Sequence, residues 1–252
     1  MCLASGLEQK MKTILSLSFV VVAAASFAQP ITVSDDLSQG SGGFFGGTSG
    51  TFQSNVSHSH NISGASYSFN LRGDVTAQMT GTATSFLHQS SVYFTLTTGA
   101  APVLLSNIAV DYNGKEVISG GSTATFTATN FYRAKLYFGA FAPDAEYATF
   151  LPDRTVQGVY IEDLSNGIPN TILAANSAYT LYMDVYPILS ISNYTSSSSM
   201  LGYSVEFGGT VSPQYDGLTM RFDAEAVPEP TTMTLLGLGA AAIAARKRRA
   251  KH

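Results

Sequence analysis

His58 and His60 are the pair of side chains best spaced for chemistry in this chain. On a strand, residues two apart face the same side, so both imidazoles could reach one metal ion. Asp35, Asp36 or a remote carboxylate would have to complete the set. No third ligand is fixed by spacing, and Ser54-Asn55-Val56-Ser57 with Asn61 reads as an exposed polar loop. The expectation is therefore two solvated histidines and no metal. His88 stands alone and reads as a surface or strand-end residue.

Hydrolysis by two carboxylates needs a pair roughly 5 to 10 Å apart across a cleft. Asp144, Glu146, Asp153, Glu162 and Asp163 supply carboxylates, but no spacing singles out a pair. A serine nucleophile would want a Gly-x-Ser-x-Gly elbow, and a zinc hydrolase a His-Glu-x-x-His pair; neither occurs. The Gly-rich stretch between Gly40 and Gly50 has no lysine and no following helix, so it is no phosphate cradle. Asp111-x-Asn113-Gly114-x-Glu116 is oxygen-rich but lacks the ligand spacing of a calcium loop. Tryptophan, the commonest sugar-stacking residue, is absent. Tyr132, Tyr137, Tyr147 and Tyr160 could stack in its place, although tyrosines at alternating positions usually belong to the sheet itself. The expectation is a non-enzymatic body with no cofactor; surface calcium is the one alternative.

The elements that would position such residues are strands. Apolar and polar residues alternate through Tyr67–Arg72, Val92–Thr97, Tyr179–Val185 and Tyr203–Phe207. Asn113-Gly114, between Ile108–Tyr112 and Glu116–Ile118, predicts a two-residue hairpin. Gly120-Gly121, Ser165-Asn166-Gly167 and Asp216-Gly217 mark further turns. Gln39 to Gly50 is a flexible entry or an irregular first strand, Thr171 to Ser177 one short helical turn, and Tyr194 to Ser199 a Ser-rich loop. The whole predicts one all-β domain, an antiparallel β-sandwich of jelly-roll type.

Both ends carry signals. Lys10 and Lys12 precede an apolar stretch from Ile14 to Ala25, and Ser26-Phe27-Ala28 offers small residues before a cut between Ala28 and Gln29. This predicts a secretory signal peptide over residues 1–28, with Met11 as the true start. At the other end, Pro228-Glu229-Pro230 is followed by an uncharged run from Thr231 to Ala245 and by Arg246-Lys247-Arg248-Arg249. As a helix that run rises roughly 22 Å, short of a hydrocarbon core of roughly 30 Å, so it spans a membrane only marginally. The basic cluster would hold the C-terminus on the cytoplasmic side.

This tail resembles the PEP-CTERM sorting signal of Gram-negative bacteria. The resemblance rests on Pro228-Glu229-Pro230, on Leu235-Leu236-Gly237-Leu238-Gly239 and on Arg246-Lys247-Arg248-Arg249, about a tenth of the chain. It implies recognition by exosortase, a membrane-embedded cysteine transpeptidase, after export through the Sec machinery. It also implies a bacterium that makes extracellular polysaccharide and biofilm matrix, and it assigns no activity to the rest of the chain.

The expected organisation is a signal peptide over 1–28, a β-sandwich over 29–226, and a sorting signal with its transmembrane helix over 227–252. Cys2, the only cysteine, lies upstream of the predicted cut, so the body would have no disulfide or thiol. Between Gln29 and Ala226 there are 15 acidic and 6 basic residues, a formal net charge of −9. That charge argues against nucleic acid as a partner. The expected role is an exported structural or interaction protein that passes through the inner membrane to the cell surface, outer envelope or matrix. The alternatives are a carbohydrate-binding β-sandwich contacting exopolysaccharide, with or without calcium, and a carboxylate-pair glycoside hydrolase.

Overall fold

The computed structural model describes residues 29–45, 50–79, 85–120, 125–138, 142–192, 201–210 and 214–228. The predicted signal peptide, the tail beyond Pro228 and the Ser-rich stretch Tyr194–Ser199 lie outside the described residues. Within them every regular element is a strand. In chain order these are β1 (Ile31–Phe45), β2 (Gly50–Ser63), β3 (Ser66–Met79), β4 (Ser85–Thr98), β5 (Val103–Gly120) and β6 (Thr125–Phe138). They continue with β7 (Ala142–Phe150), β8 (Gly158–Gly167), β9 (Thr171–Leu173), β10 (Ala178–Ser192), β11 (Leu201–Phe207) and β12 (Gly217–Ala226).

The chain folds as the predicted antiparallel β-sandwich. One sheet has the order β1-β4-β10-β6-β7; the other contains β2, β3, β5, β8, β9, β11 and β12. All pairings between these strands are antiparallel. In the second sheet β11 and β12 share one lane. Both lie between β3 and β5, with Phe207 opposite Gly73 and Leu218 opposite Leu71. They are two halves of one strand, interrupted by an excursion from Gly208 to Asp216.

Alternation explains the layers. Tyr67, Phe69 and Leu71 of β3 are buried, while Ser68, Asn70 and Arg72 between them are only partly covered. Aromatic rings join the sheets: Phe69 meets Phe94 of β4 at 5.0 Å between centroids, and Tyr112 of β5 stacks on Tyr132 of β6 at 4.8 Å. Buried rings of this size dominate the hydrophobic stabilisation of a core that has no disulfide to help it.

Two local expectations are corrected. Asn113-Gly114 is no hairpin; it lies in the middle of the 18-residue strand β5. A two-residue hairpin would put Lys115 and Val117 on the same face as Tyr112. The straight strand puts Glu116 and Ile118 there instead, and both are buried. Gly114 is present because space is short, since a Cβ would lie 2.7 Å from Tyr112 Oη. Thr171–Ser177 is not helical: it forms β9 and a turn at Ala175-Asn176, where Asn176 takes φ 50°. Of the two alternatives for the Gly-rich entry, the irregular first strand is the one formed: Gln39–Phe45 belongs to β1, which is paired with β4 and shifted in register between Asp35 and Ser38.

Asn107 of β5 also has positive φ, 53°. There the β5–β12 register slips, and Asn107 and Ile108 together oppose Phe222. This is a β-bulge, with asparagine in the left-handed conformation it tolerates. The two ends of the sandwich polypeptide meet at one pole. The link from β4 to β5 holds both: Gly99 N donates to Pro30 O at 3.3 Å, and Val227 N donates to Pro102 O at 2.8 Å.

Candidate functional site

Four groups of polar side chains stand out in the sandwich. The first contains the two histidines. They sit on β2, a regular strand and not the expected loop, because β2 pairs with β3 over its whole length. Both imidazoles do face one side, but that side is Phe94 of the opposite sheet, 5.7 Å from the His58 ring and 6.1 Å from the His60 ring. Of the expected carboxylates, Asp35 meets His60 Nδ1 at 2.8 Å. Among the described residues no three His, Cys, Asp or Glu converge on a point. His88 is fully buried in mid-β4, not at the surface, with Nε2 3.1 Å from Ser90 Oγ. Burial lowers its pKa from 6.5 to about 4.

The second group is a pair of carboxylates. Glu116 of β5 and Glu162 of β8 both meet Arg154, whose guanidinium also lies 4.4 Å from the Tyr160 ring centroid. Tyr203 donates to Glu116 Oε1 at 2.8 Å. Burial raises the Glu116 pKa, and the Tyr203 hydrogen bond and Arg154 oppose that rise. A raised carboxylate beside a second one is the expected glycosidase signature. Here Glu116 is only 2% exposed and the arginine bridges the pair, which leaves no room for substrate. The arrangement is an ion cluster that holds β8 to β5.

The third group lies on the outer face of the five-stranded sheet. Arg133 grips Asp184 with two bonds, Nε to Oδ1 at 2.9 Å and Nη2 to Oδ2 at 2.7 Å. Tyr182 Oη adds a third at 2.9 Å, and Gln89 Nε2 donates to Tyr182 Oη at 2.7 Å. Desolvation raises the Asp184 pKa, and these donors pull it back. Tyr93 lies against Tyr182 at 4.7 Å and is the exposed ring of the cluster. With Asp184 buried and its oxygens engaged, this cluster is closed on itself.

The fourth group is open. A groove of about 720 Å³ crosses the outer face of the other sheet. Its floor comes from β2 (Ser59, Asn61), β3 (Ser68, Asn70, Arg72), β12 (Thr219, Arg221), β5 (Asp111, Asn113) and β8 (Asp163, Ser165). Arg221 Nε meets Asp111 Oδ2 at 3.1 Å, and Arg72 meets Asp216 at 3.6 Å. A second groove of about 440 Å³ shares Asn61, Ser68 and Arg221, and extends the trough toward Asn107 and Asp223. Ser66 and Asn107 hydrogen-bond the Asp223 carboxylate and lower its pKa. Of the carboxylates named from sequence, Asp163 and Asp111 belong here, and Asn113 of the oxygen-rich run comes with them. Polar residues at alternate positions of β3 and β12 mark their outer faces, but the groove itself depends on strand register.

The remaining predicted residues sit at the ends. Gln29 and Pro228 are exposed. Ala28, Glu229, Pro230, Arg246, Lys247, Arg248 and Arg249 lie outside the described residues. Among the described residues no helix is long and apolar enough to cross a membrane.

No curated protein matches the chain. Solved structures offer distant likenesses. One is a carbohydrate-binding module studied for promiscuous specificity in the β-sandwich superfamily, at 8% identity and TM-score 0.26, over 78% of this chain and 58% of that one. The chain thus spans little more than half of that structure. Another is the family 11 carbohydrate-binding module of Clostridium thermocellum in complex with a β-1,3-1,4-mixed-linked tetrasaccharide. It shows 9% identity and TM-score 0.22, over 77% of this chain and 96% of that one. A structure of infectious bursal disease virus Gx strain shows 11% identity and TM-score 0.22, over 79% and 60% of the two chains. At these scores the sandwich assignment rests on the strand pairing alone. The tail is a closer match: residues 226–249 fit the PEP-CTERM protein-sorting motif, so this chain ends in a PEP-CTERM sorting signal.

Proposed function

We propose that the chain is exported through the Sec machinery, pauses in the inner membrane by its tail, and is sorted by an exosortase-type enzyme to the cell surface or extracellular matrix. There its sandwich serves as a non-catalytic interaction module in polysaccharide or biofilm matrix. The observation that carries this reading is the sorting motif at residues 226–249. Proposed boundaries are a signal peptide over 1–28, a sandwich over 29–226 and a sorting signal over 227–252. Gln29 and Pro228 flank the sandwich and are exposed, so processing enzymes can reach the backbone on either side. A second reading, carbohydrate binding by the sandwich, is favoured by the open groove of hydroxyl, amide and carboxylate groups.

Replacing Pro228-Glu229-Pro230 by alanines tests the sorting reading. The variant is expected to accumulate as a precursor in the inner-membrane fraction. Mass spectrometry of the wild-type surface form is expected to find the C-terminus upstream of Arg246. A surface form that still carries Arg246 to His252 would overturn the proposal.

A further inference from the structure

The two edges of the seven-stranded sheet are protected unequally. At one edge, β2 carries a polar residue at every second position from Thr51 to Ser63 on its outer face, and the His60–Asp35 contact ties it across the corner of the sandwich to β1. At the other edge, β8 pairs with β5 and with no other strand among the described residues. Natural edge strands are blunted by lysine, proline, a bulge or a covering segment. β8 has no lysine, arginine or proline, and its register with β5 is unbroken from Gly158 to Gly167.

The outer face of this edge is apolar where it is most exposed. Val159 is 60% and Ile161 66% exposed, Val156 just before the strand is 67% exposed, and Val117 of β5 lies beside Val159. Lys115, the β5 neighbour of Ile161, reaches away to Glu206 of β11 at 3.2 Å and leaves the isoleucine uncovered. The inner face is anchored. Leu164 packs against the core, Tyr160 Oη donates to Val156 O at 2.6 Å, and Arg154 meets both Glu162 and the Tyr160 ring. β8 is thus a preformed edge, held from within, with Val159 and Ile161 turned to solvent.

The residue order of β8 selects a second copy of the same strand as its occupant. A strand paired with itself about a twofold axis is antiparallel, like every strand pairing in this sandwich. With both outer faces on one side, the axis must fall on a single residue. On Glu162 or Asp163 it would set like charges directly opposite one another, which is destabilising. On Leu164 it would leave Val159 outside the paired segment, and on Tyr160 it would pair only Gly158–Glu162. On Ile161 it pairs Gly158–Leu164 of each copy and keeps both apolar residues inside the seam. Isoleucine then faces isoleucine, Asp163 faces Val159, and Glu162, already matched by Arg154, faces Tyr160. Pairing with the β2 edge of another copy would instead set Val159 and Ile161 beside serines and asparagines.

We propose that β8 is a self-association edge: two copies of this chain pair β8 with β8 about a twofold axis at Ile161, joining their seven-stranded sheets into one continuous sheet.

The test is sedimentation velocity of the full-length chain carrying Cys2→Ser, combined with disulfide trapping under mild oxidation. This parent chain is expected to dimerise. Ile161→Lys sets two cations opposite one another at the axis, and Val159→Lys removes the flanking apolar contact. Each is expected to weaken dimerisation about tenfold or more. Ile172→Lys alters an equally exposed isoleucine on β9 and is expected to leave the dimer intact. Ile161→Cys is expected to cross-link to its mate, whereas Ser165→Cys, further along the same face of β8, is not. Circular dichroism checks that each variant keeps its sheets. A monomeric parent leaves the edge to a strand of another protein and overturns self-pairing. Association that both lysine variants retain arises elsewhere in the chain and overturns it as well. Cross-linking through Ser165→Cys as efficient as through Ile161→Cys overturns the axis at Ile161.

Discussion

His88 makes the sandwich sensitive to mild acid, and the effect can be worked out from its surroundings. The imidazole is fully buried on the inner side of β4, near the Phe86 and Phe52 rings, with Ser90 Oγ on Nε2 and no partner on Nδ1 among the described residues. A proton there has no carboxylate to meet, so burial depresses the pKa to about 4 from 6.5. The unfolded chain then takes up a proton below pH 6.5, and the folded chain does so only near pH 4. Stability is full above 6.5, falls as pH drops through the interval, and levels off below about 4. Within the interval each pH unit removes up to ~1.4 kcal/mol, so moving from pH 7 to 4.5 costs about 2.4 kcal/mol from this residue alone. His88→Gln removes the titration. With no tryptophan present, urea unfolding is best followed by far-UV circular dichroism. The wild-type stability, minus that of the variant, should shrink by about 2.4 kcal/mol between pH 7 and 4.5 at unchanged m-value. Parallel pH profiles for the two proteins would refute the burial argument. Glu116 and Asp184, whose pKa values are raised, act in the opposite sense, which is why the difference and not the wild-type curve carries the test.

Two further perturbations probe the same interior. Arg154→Ala strands Glu116 without its cation and should destabilise the fold by about 3 kcal/mol in urea titration, and adding Glu116→Gln should restore much of the loss; additive losses would show that the cluster is not coupled. Gly114→Ala drives a Cβ toward Tyr112 Oη and Glu206 O and should cost about 1–3 kcal/mol, read as a lower thermal midpoint. An unchanged midpoint would mean that β5 can bend away.

The layers of this fold were legible because their signal is periodic. β3, β4, β10 and β11 announce themselves by alternation, and each contains the predicted run. What failed was local punctuation. Asn113-Gly114 carries the strongest short turn signal in the body, yet a turn would have placed Lys115 on the core side. The unbroken inward series Ile108, Val110, Tyr112, Gly114, Glu116, Ile118 outweighs it. The Ser and Asn around His58 and His60 look like loop composition, although Val56, His58, His60 and Ile62 alternate with them just as a strand requires. Nothing in the sequence around His88 shows that β4 is flanked by strands on both sides and faces the other sheet there. The groove was invisible for a different reason. Its residues come from five strands, and their alignment depends on register, including the bulge at Asn107 and the shared lane of β11 and β12.

The position of β12 has a mechanical consequence. The tail leaves from Ala226, at the end of a strand bonded on one side to β3 and on the other to β5. A pull on that tail directed along β12 would load both ladders in shear, so many bonds would share the force at once. A terminal strand at the edge of a sheet would instead peel away one bond at a time. A protein held by its C-terminus in this way has that end fixed between two neighbouring strands and not at the edge of its sheet.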